Sequence, residues 1–338
     1  MVNNKEPVGH MAPLAFVSTP FRSPLRLALA VALSLFCVAA EAKSDGWAGC
    51  RAADPDKRIE GCGEVIARGD KERKPNRIAA FVNRGGAYHA KGDYDRALAD
   101  FEKALEIDPD SAVALGDRAA AYRAKGDFDH AIADYDKLVA AQPKAAAYLG
   151  RGGAFQGKGD LDKAIADYDK ALELDKKSVA ALSNRGRAWR AKGDLDRALA
   201  DFDRAIELEP KSALSYLNRA ALYQAKGDLD HALADYDKAI AKDGKLAIAY
   251  NNRGLALHAK GDFDRAVADF GTAVTLDPKY ARAILNRANA YRGKHDLEHA
   301  KGDLEQALAL DPNLAAAKKG LDEVTRQLAA RAAAAPAQ

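Results

Sequence analysis

Only 7% of the 338 residues are aromatic, with two tryptophans, two methionines and three cysteines. So few rings exclude a bulky central core and leave alanine-rich contact between helices as the means of burying apolar surface. Charge of one sign is missing too. Lysine and arginine number 52 against 49 aspartates and glutamates, closely alternating, for a net charge of +3. That excludes the one-sided basic field of a nucleic-acid binder, so no nucleic-acid partner is expected. The apolar run Leu27 to Ala40 has 14 residues, short of the roughly 20 that span a membrane. No phosphate-cradling glycine loop, nucleophile elbow or paired catalytic carboxylate stands outside the repetition described below. The sequence therefore predicts a protein that is not an enzyme and needs neither cofactor nor metal.

What is present begins with a targeting pattern. Arg22 and Arg26 precede the apolar run, and Ala40-Glu41-Ala42 follows it. Basic flank, short apolar stretch and small-residue site describe a secretory signal over 1–42, with cleavage after Ala42. An uncleaved N-terminal anchor is the alternative, and Met11 is a second candidate start. Phe36 precedes Cys37 where a lipoprotein signal wants a small residue, which argues against lipidation. Cleavage would leave Cys50 and Cys62, an even pair in an exported chain, for which a disulfide is expected over two free buried thiols. Periplasmic or secreted placement, without stable membrane insertion, follows from this reading.

Internal periodicity sets the architecture. Lys-Gly-Asp recurs at 91–93, 125–127, 158–160, 192–194, 226–228 and 260–262, then as Lys294-His295-Asp296. The spacings are 34, 33, 34, 34, 34 and 34. Positions are counted from the turn glycine, or His295 in the last repeat. Position −11 is Phe81, Leu115, Tyr148, Leu182, Tyr216, Tyr250 or Ile284; −7 is always glycine or alanine; −4 is Tyr88, Tyr122, Phe155, Trp189, Tyr223, Leu257 or Tyr291. Intervals of four and three place these on one side of a helix. After the turn, +5 is alanine in all seven and +9 is Phe101, Tyr135, Tyr168, Phe202, Tyr236, Phe270 or Leu304. Each repeat is thus two amphipathic helices joined by a tight turn.

Each mark has a local reason. The turn glycine permits positive φ. The aspartate after it caps the second helix, and the acid two residues on suits the positive end of that helix. Proline at +17 (Pro109, Pro143, Pro210, Pro278, Pro312) stops the second helix. Lys176 and Gly244 replace it in two repeats, where the helices are expected to run on or fray.

These registers resemble the tetratricopeptide repeat family from Asn76 to Pro312, and in particular an Asn-Arg-Gly subclass of bacterial envelope proteins. The resemblance implies an all-α, right-handed superhelical solenoid whose first helices line a concave groove that takes peptides or partner domains. Seven repeats are expected over 76–312, at about 78–109, 112–143, 145–176, 179–210, 213–244, 247–278 and 281–312. A lone second-type helix within 43–75 would cap one end and a polar-faced helix over 313–331 the other, because a solenoid otherwise exposes its apolar interface. A disordered tail is expected over 332–338.

Two constellations stand out. Position −8 is arginine in every repeat (Arg84, Arg118, Arg151, Arg185, Arg219, Arg253, Arg287) and +8 is aspartate (Asp100, Asp134, Asp167, Asp201, Asp235, Asp269, Asp303). Equidistant from the turn of an antiparallel pair, they predict a structural Arg–Asp ladder within or between repeats. Roughly opposite the apolar stripe, −9 is asparagine at Asn83, Asn184, Asn218, Asn252 and Asn286, with Asn251, Asn289, Arg187 and Arg282 nearby. Carboxamides one repeat apart can donate to and accept from a peptide backbone. The row is similar to the asparagine ladder of O-GlcNAc transferases, whereas the lysine–asparagine clamp of chaperone adaptors does not match. The predicted function is a non-catalytic scaffold for a protein or peptide. A tethered envelope assembly factor and a regulatory subunit of a partner enzyme are the alternatives. His295 and His299 begin in a turn and lack a third ligand, so they are surface histidines rather than a metal site.

Overall fold

A computed structural model describes residues 45–334. The expected leader over 1–42 and the end of the expected tail, 335–338, lie outside the described residues. These contain seventeen α-helices and one 3₁₀ turn, without a strand. They divide into two compact units, one through Asp194 and one from Leu195.

The first unit holds α1 (Asp45–Cys50), α2 (Pro55–Ala67), α3 (Lys74–Ala90), α4 (Tyr94–Ile107), α5 (Ala112–Lys125), α6 (Phe128–Ala141), α7 (Ala145–Lys158), α8 (Leu161–Leu174) and α9 (Val179–Ala191). The second holds α10 (Leu195–Leu208), α11 (Ala213–Ala225), α12 (Leu229–Lys242), α13 (Ala247–Ala259), α14 (Phe263–Leu276), α15 (Ala281–Gly293), α16 (Leu297–Leu310) and α17 (Ala315–Ala334). Within each unit every helix packs on the next. First helices also touch first helices: α3 with α5, α5 with α7 and α7 with α9, then α11 with α13 and α13 with α15. The layer whose members meet each other in this way is the inner side of each stack.

The core repeats with the sequence. The +5 alanines are fully buried, and Phe101, Tyr168, Phe202, Tyr236 and Phe270 at +9 are among the largest buried side chains. Small residues at −7 make room for those rings; a Cβ on Gly85 would stand 2.7 Å from the Phe101 ring. A second fit joins neighbouring repeats. Residue +2 is phenylalanine at Phe128 and Phe263, and the next repeat's −2 is then glycine, at Gly157 and Gly293. A Cβ on Gly293 would stand 2.6 Å from the Phe263 ring, and one on Gly157 would strike Phe128. Where +2 is leucine or tyrosine, −2 of the following repeat is alanine.

The turns follow the expected chemistry. The six turn glycines take φ of 80–91° and His295 takes 59°. Asp93, Asp127, Asp228, Asp262 and Asp296 accept from the backbone N–H three residues on, at 3.2–3.3 Å. Asp160 departs from the pattern and receives Lys163 Nζ instead, at 3.1 Å. The acids at +3 do more than face a helix end. Asp95, Asp129, Asp196 and Asp264 receive Lys125, Lys158, Lys226 and Lys294 of the next turn at 2.5–2.8 Å. These pairs are exposed and contribute little stability, but they explain why lysine precedes the turn glycine.

Several boundaries correct the sequence reading. Second helices without proline do not run on: α8 and α12 stop at Leu174 and Lys242, the same register as the others. There Asp175 and Asp243 fold their carboxylates onto the N–H groups of Lys177 and Lys245, at 3.0 and 2.9 Å, ending the helix without proline. The N-terminal cap is not a lone helix, because α1 precedes α2 and packs on it. The Cys50–Cys62 disulfide joins the two. At the other end α17 continues to Ala334, so 332–334 are helical rather than part of a disordered tail. No helix among the described residues is long and apolar enough to cross a membrane.

Candidate partner-binding face

The ladder fixes the framework. Arg84, Arg118, Arg151, Arg219, Arg253 and Arg287 each donate Nε and Nη2 to the two carboxylate oxygens of Asp100, Asp134, Asp167, Asp235, Asp269 and Asp303, at 2.6–2.9 Å. The aspartates are buried, 2% exposed at Asp235, and lie in the same repeat as their arginine. Those hydrogen bonds raise the pKa of each arginine above its ordinary value against the opposing effect of burial. Aromatics at −11 and −4 flank the guanidinium, as Tyr216 and Tyr223 do Arg219, each 5.9 Å away. Arg185 and Asp201 fall in different units; Asp201 is buried, and Arg185 donates to Asp169 at 2.6 Å.

A second acid completes the ladder and was not singled out in the sequence. Nη1 of Arg151, Arg185, Arg219 and Arg253 reaches Asp136, Asp169, Asp203 and Asp237 at +10 of the preceding repeat, at 2.6–2.7 Å. Each of these arginines therefore braces one hairpin against the one before it. Glu102 occupies that register behind Arg118 and attracts it at longer range. Gly63 and Gly271 stand in the corresponding places beside Arg84 and Arg287, each 3.8 Å from Nη1 by its would-be Cβ. Their ladder arginines keep a single aspartate.

The asparagines do not form one open row. Asn251 is fully buried, and Asn252 and Asn286 are 3% and 7% exposed. Asn286 Nδ2 donates to Asn251 Oδ1 at 2.9 Å, and Asn251 Nδ2 to Asn252 Oδ1 at 3.1 Å. Asn252 and Asn286 at −9, with Asn251 at −10, are thus enclosed by α13 and α15 rather than turned to a trough. Asn83 Nδ2 lies 3.8 Å from Cys50 Sγ, against the disulfide and away from the others. Asp117 and Gly150 hold −9 in the next two repeats. Asn184, Asn218 and Asn289 remain half-buried and Arg282 exposed. Asn184 accepts from Arg187 Nη2 at 2.8 Å, and Asn289 from Arg292 at 3.3 Å.

The comparisons with known proteins agree with this geometry. No curated protein matches the chain at a significant level. Among solved structures it is similar in fold to a tetratricopeptide repeat protein from Parabacteroides merdae, 21% identical with TM-score 0.58, over 74% of this chain and 99% of that one. A chain of the APC/C hetero-tetramer Cut9-Hcn1 is 20% identical with TM-score 0.56, over 82% of this chain and 54% of that one. PilF of Pseudomonas aeruginosa is 21% identical with TM-score 0.51, over 62% and 96%. Tetratricopeptide repeat profiles match residues 78–111, 117–179, 154–213, 202–234, 247–280 and 281–314, and a further TPR repeat profile matches 223–261. With helix hairpins on a 34-residue rhythm and matches over most of its length, the chain belongs to the tetratricopeptide repeat family, whose fold serves as a scaffold for protein–protein interaction.

Proposed function

We propose that the chain is a non-catalytic scaffold that takes a peptide or a partner domain along the inner, first-helix side of its hairpins. One observation carries the reading. Registers that build the fold (−8, −7, +5, +8 and +9) hold nearly the same residue in every repeat, while −6, on the inner helices, runs Gly86, Ala120, Gly153, Arg187, Ala221, Leu255, Asn289. Ala221 and Leu255 are buried, but Gly86, Ala120, Gly153, Arg187 and Asn289 are only half-buried, and variation there over a regular framework is what a surface shaped for a particular partner would carry. Affinity capture from an envelope extract tests it. The wild-type chain is compared with one carrying Asn184→Ala, Asn218→Ala, Arg282→Ala and Asn289→Ala, positions open enough to change without emptying the core. A control carries Lys103→Ala, Lys170→Ala and Lys238→Ala on the second helices. The inner-face variant should lose partners that the control keeps; equal recovery by all three chains would move binding to another face.

We also infer that the protein works after export, as one of the Asn-Arg-Gly type of bacterial envelope repeat proteins. The triplets Asn83-Arg84-Gly85, Asn184-Arg185-Gly186 and Asn252-Arg253-Gly254 support the type. The leader-like residues and the buried Cys50–Cys62 bond support an oxidising compartment. Intact mass of the mature chain checks it: an N-terminus at Lys43 and a mass two hydrogen atoms below the dithiol are expected. A retained leader would instead favour a tethered form.

A further inference from the structure

The N-terminal end keeps the hairpin rhythm without most of its usual residues. Counting α1 and α2 from Ala53 as the turn position puts Asp54 at +1 and Asp56 at +3. Asp54 accepts from the backbone N–H of Lys57 at 2.9 Å, as the other capping aspartates do three residues on. Asp56 receives Lys91 of the next turn, the same rung that Asp95 makes with Lys125. Val65 at +12 is fully buried, and Gly63 at +10 is the residue behind Arg84. α1 packs on α2, α2 on α3, and α1 also touches α3, the same pairings that α3, α4 and α5 make. The two helices are therefore an eighth, degenerate hairpin of the stack, with α1 as its first helix.

This hairpin lacks what holds the other seven. α1 has six residues, too few to be stable alone. Gly61 stands at +8 in place of the ladder aspartate, and Cys62 at +9 in place of the large side chain. Cys50 falls at −3. Elsewhere −3 and +9 meet through side chains, as where Tyr168 donates to Gln156 and Tyr236 to Gln224, both at 2.7 Å across 12 residues. The Cys50–Cys62 bond spans the same 12 residues, so a covalent link takes the place of that contact. Beyond Cys50, the large side chain that α1 buries is Trp47. We propose that thiol oxidation closes this end of the inner layer: α1 docks when Cys50 and Cys62 are bonded and leaves when they are thiols, while the seven cysteine-free hairpins stay folded in both states. In the closing step an external disulfide exchanges with the two thiols, takes up their two electrons and two protons, and leaves as two thiols. Undocking uncovers Val65 and Ala80, which share a core with Trp47, and frees Asn83, whose Nδ2 lies 3.8 Å from Cys50 Sγ. The inner layer then begins at α3 rather than α1, whichever face takes a partner.

The test uses the full chain carrying Trp189→Phe, the residue type that Phe155 supplies at the same register, so that Trp47 is its one remaining tryptophan. Three forms are compared: the oxidised protein, protein refolded and kept in a phosphine with Cys50 and Cys62 mapped as free thiols by alkylation, and the double variant Cys50→Ala, Cys62→Ala. Reduction is expected to shift Trp47 emission to the red and to speed amide exchange over 46–52 at least about tenfold, with α4–α8 unchanged. The double variant should match the reduced chain, and oxidised glutathione should return the reduced chain, but not the variant, to blue emission and slow exchange. A reduced chain with Trp47 still shielded would show that α1 docks without the bond. An open variant beside that closed thiol form would lay the effect on lost packing instead. Exchange that also quickens across α4–α8 would make the bond a staple of the whole first unit. Each of these results would overturn the proposal, as would a reduced chain that oxidised glutathione does not close.

Discussion

Arg253 and Arg287 make the same fork with a buried aspartate, yet only Arg253 has an acid, Asp237, placed behind it; Arg287 faces Gly271. Removing the aspartate should therefore cost different amounts at the two places. Asp303→Ala leaves Arg287 half-buried without a partner, a loss of about 3 kcal/mol. Asp269→Ala leaves Arg253 with Asp237 and should cost about 2 kcal/mol. Urea unfolding of both variants gives the order, and equal losses would mean that the acid at +10 does not brace the arginine. His295 is a simpler case. It alone holds φ of 59° in a turn where six glycines stand elsewhere. His295→Gly should stabilise the protein by about 1 kcal/mol through relief of left-handed strain. An unchanged urea midpoint would show that its ring contributes as much as the strain costs.

Between elements, the phenylalanine–glycine fit makes two repeats interdependent. Gly157→Ala places a methyl against Phe128 across the α6–α7 contact, and overpacking of this kind costs about 1–3 kcal/mol. Phe128→Leu restores the leucine–alanine combination found at Leu161 and Ala191, so the double variant should recover most of the loss. A coupling energy near zero in the double-mutant cycle would mean that the pairing of residue types has no energetic basis. This fit is legible in the sequence only across repeats, because it joins +2 of one repeat to −2 of the next and no single register contains both residues. The helix ends are hard to read for a related reason. Proline is a conspicuous stop signal, whereas the turn that Asp175 and Asp243 make with the backbone two residues on depends on a carboxylate that looks like any other surface acid.

For the whole chain, periodicity was enough to place the hairpins, since a hairpin with one apolar side has few ways to bury it. The aspartates at +10 escaped because an acid on an exposed helix flank looks solvated until its neighbour's arginine is seen. A helical wheel, which considers one helix alone, sets the asparagines at −9 opposite the core. Contact between adjacent first helices encloses Asn252 and Asn286, and no single-helix projection contains that contact. The same neighbour dependence governs stability. Ala317 and Val324 of α17 are fully buried, and Leu321 and Leu328 pack beside them on the cluster around Leu304. Ending the chain at Pro312 uncovers that face and removes roughly 5 kcal/mol of burial, at about 1.5–3 kcal/mol per large apolar side chain. In a stack that sums nearest-neighbour contacts the loss falls first on α15 and α16 and fades along the second unit. Hydrogen exchange of the truncated chain should show protection lost in 281–310 and kept in α3–α8. A uniform loss across all helices would mean that the chain unfolds as one cooperative body, and the picture of independently added repeats would fail.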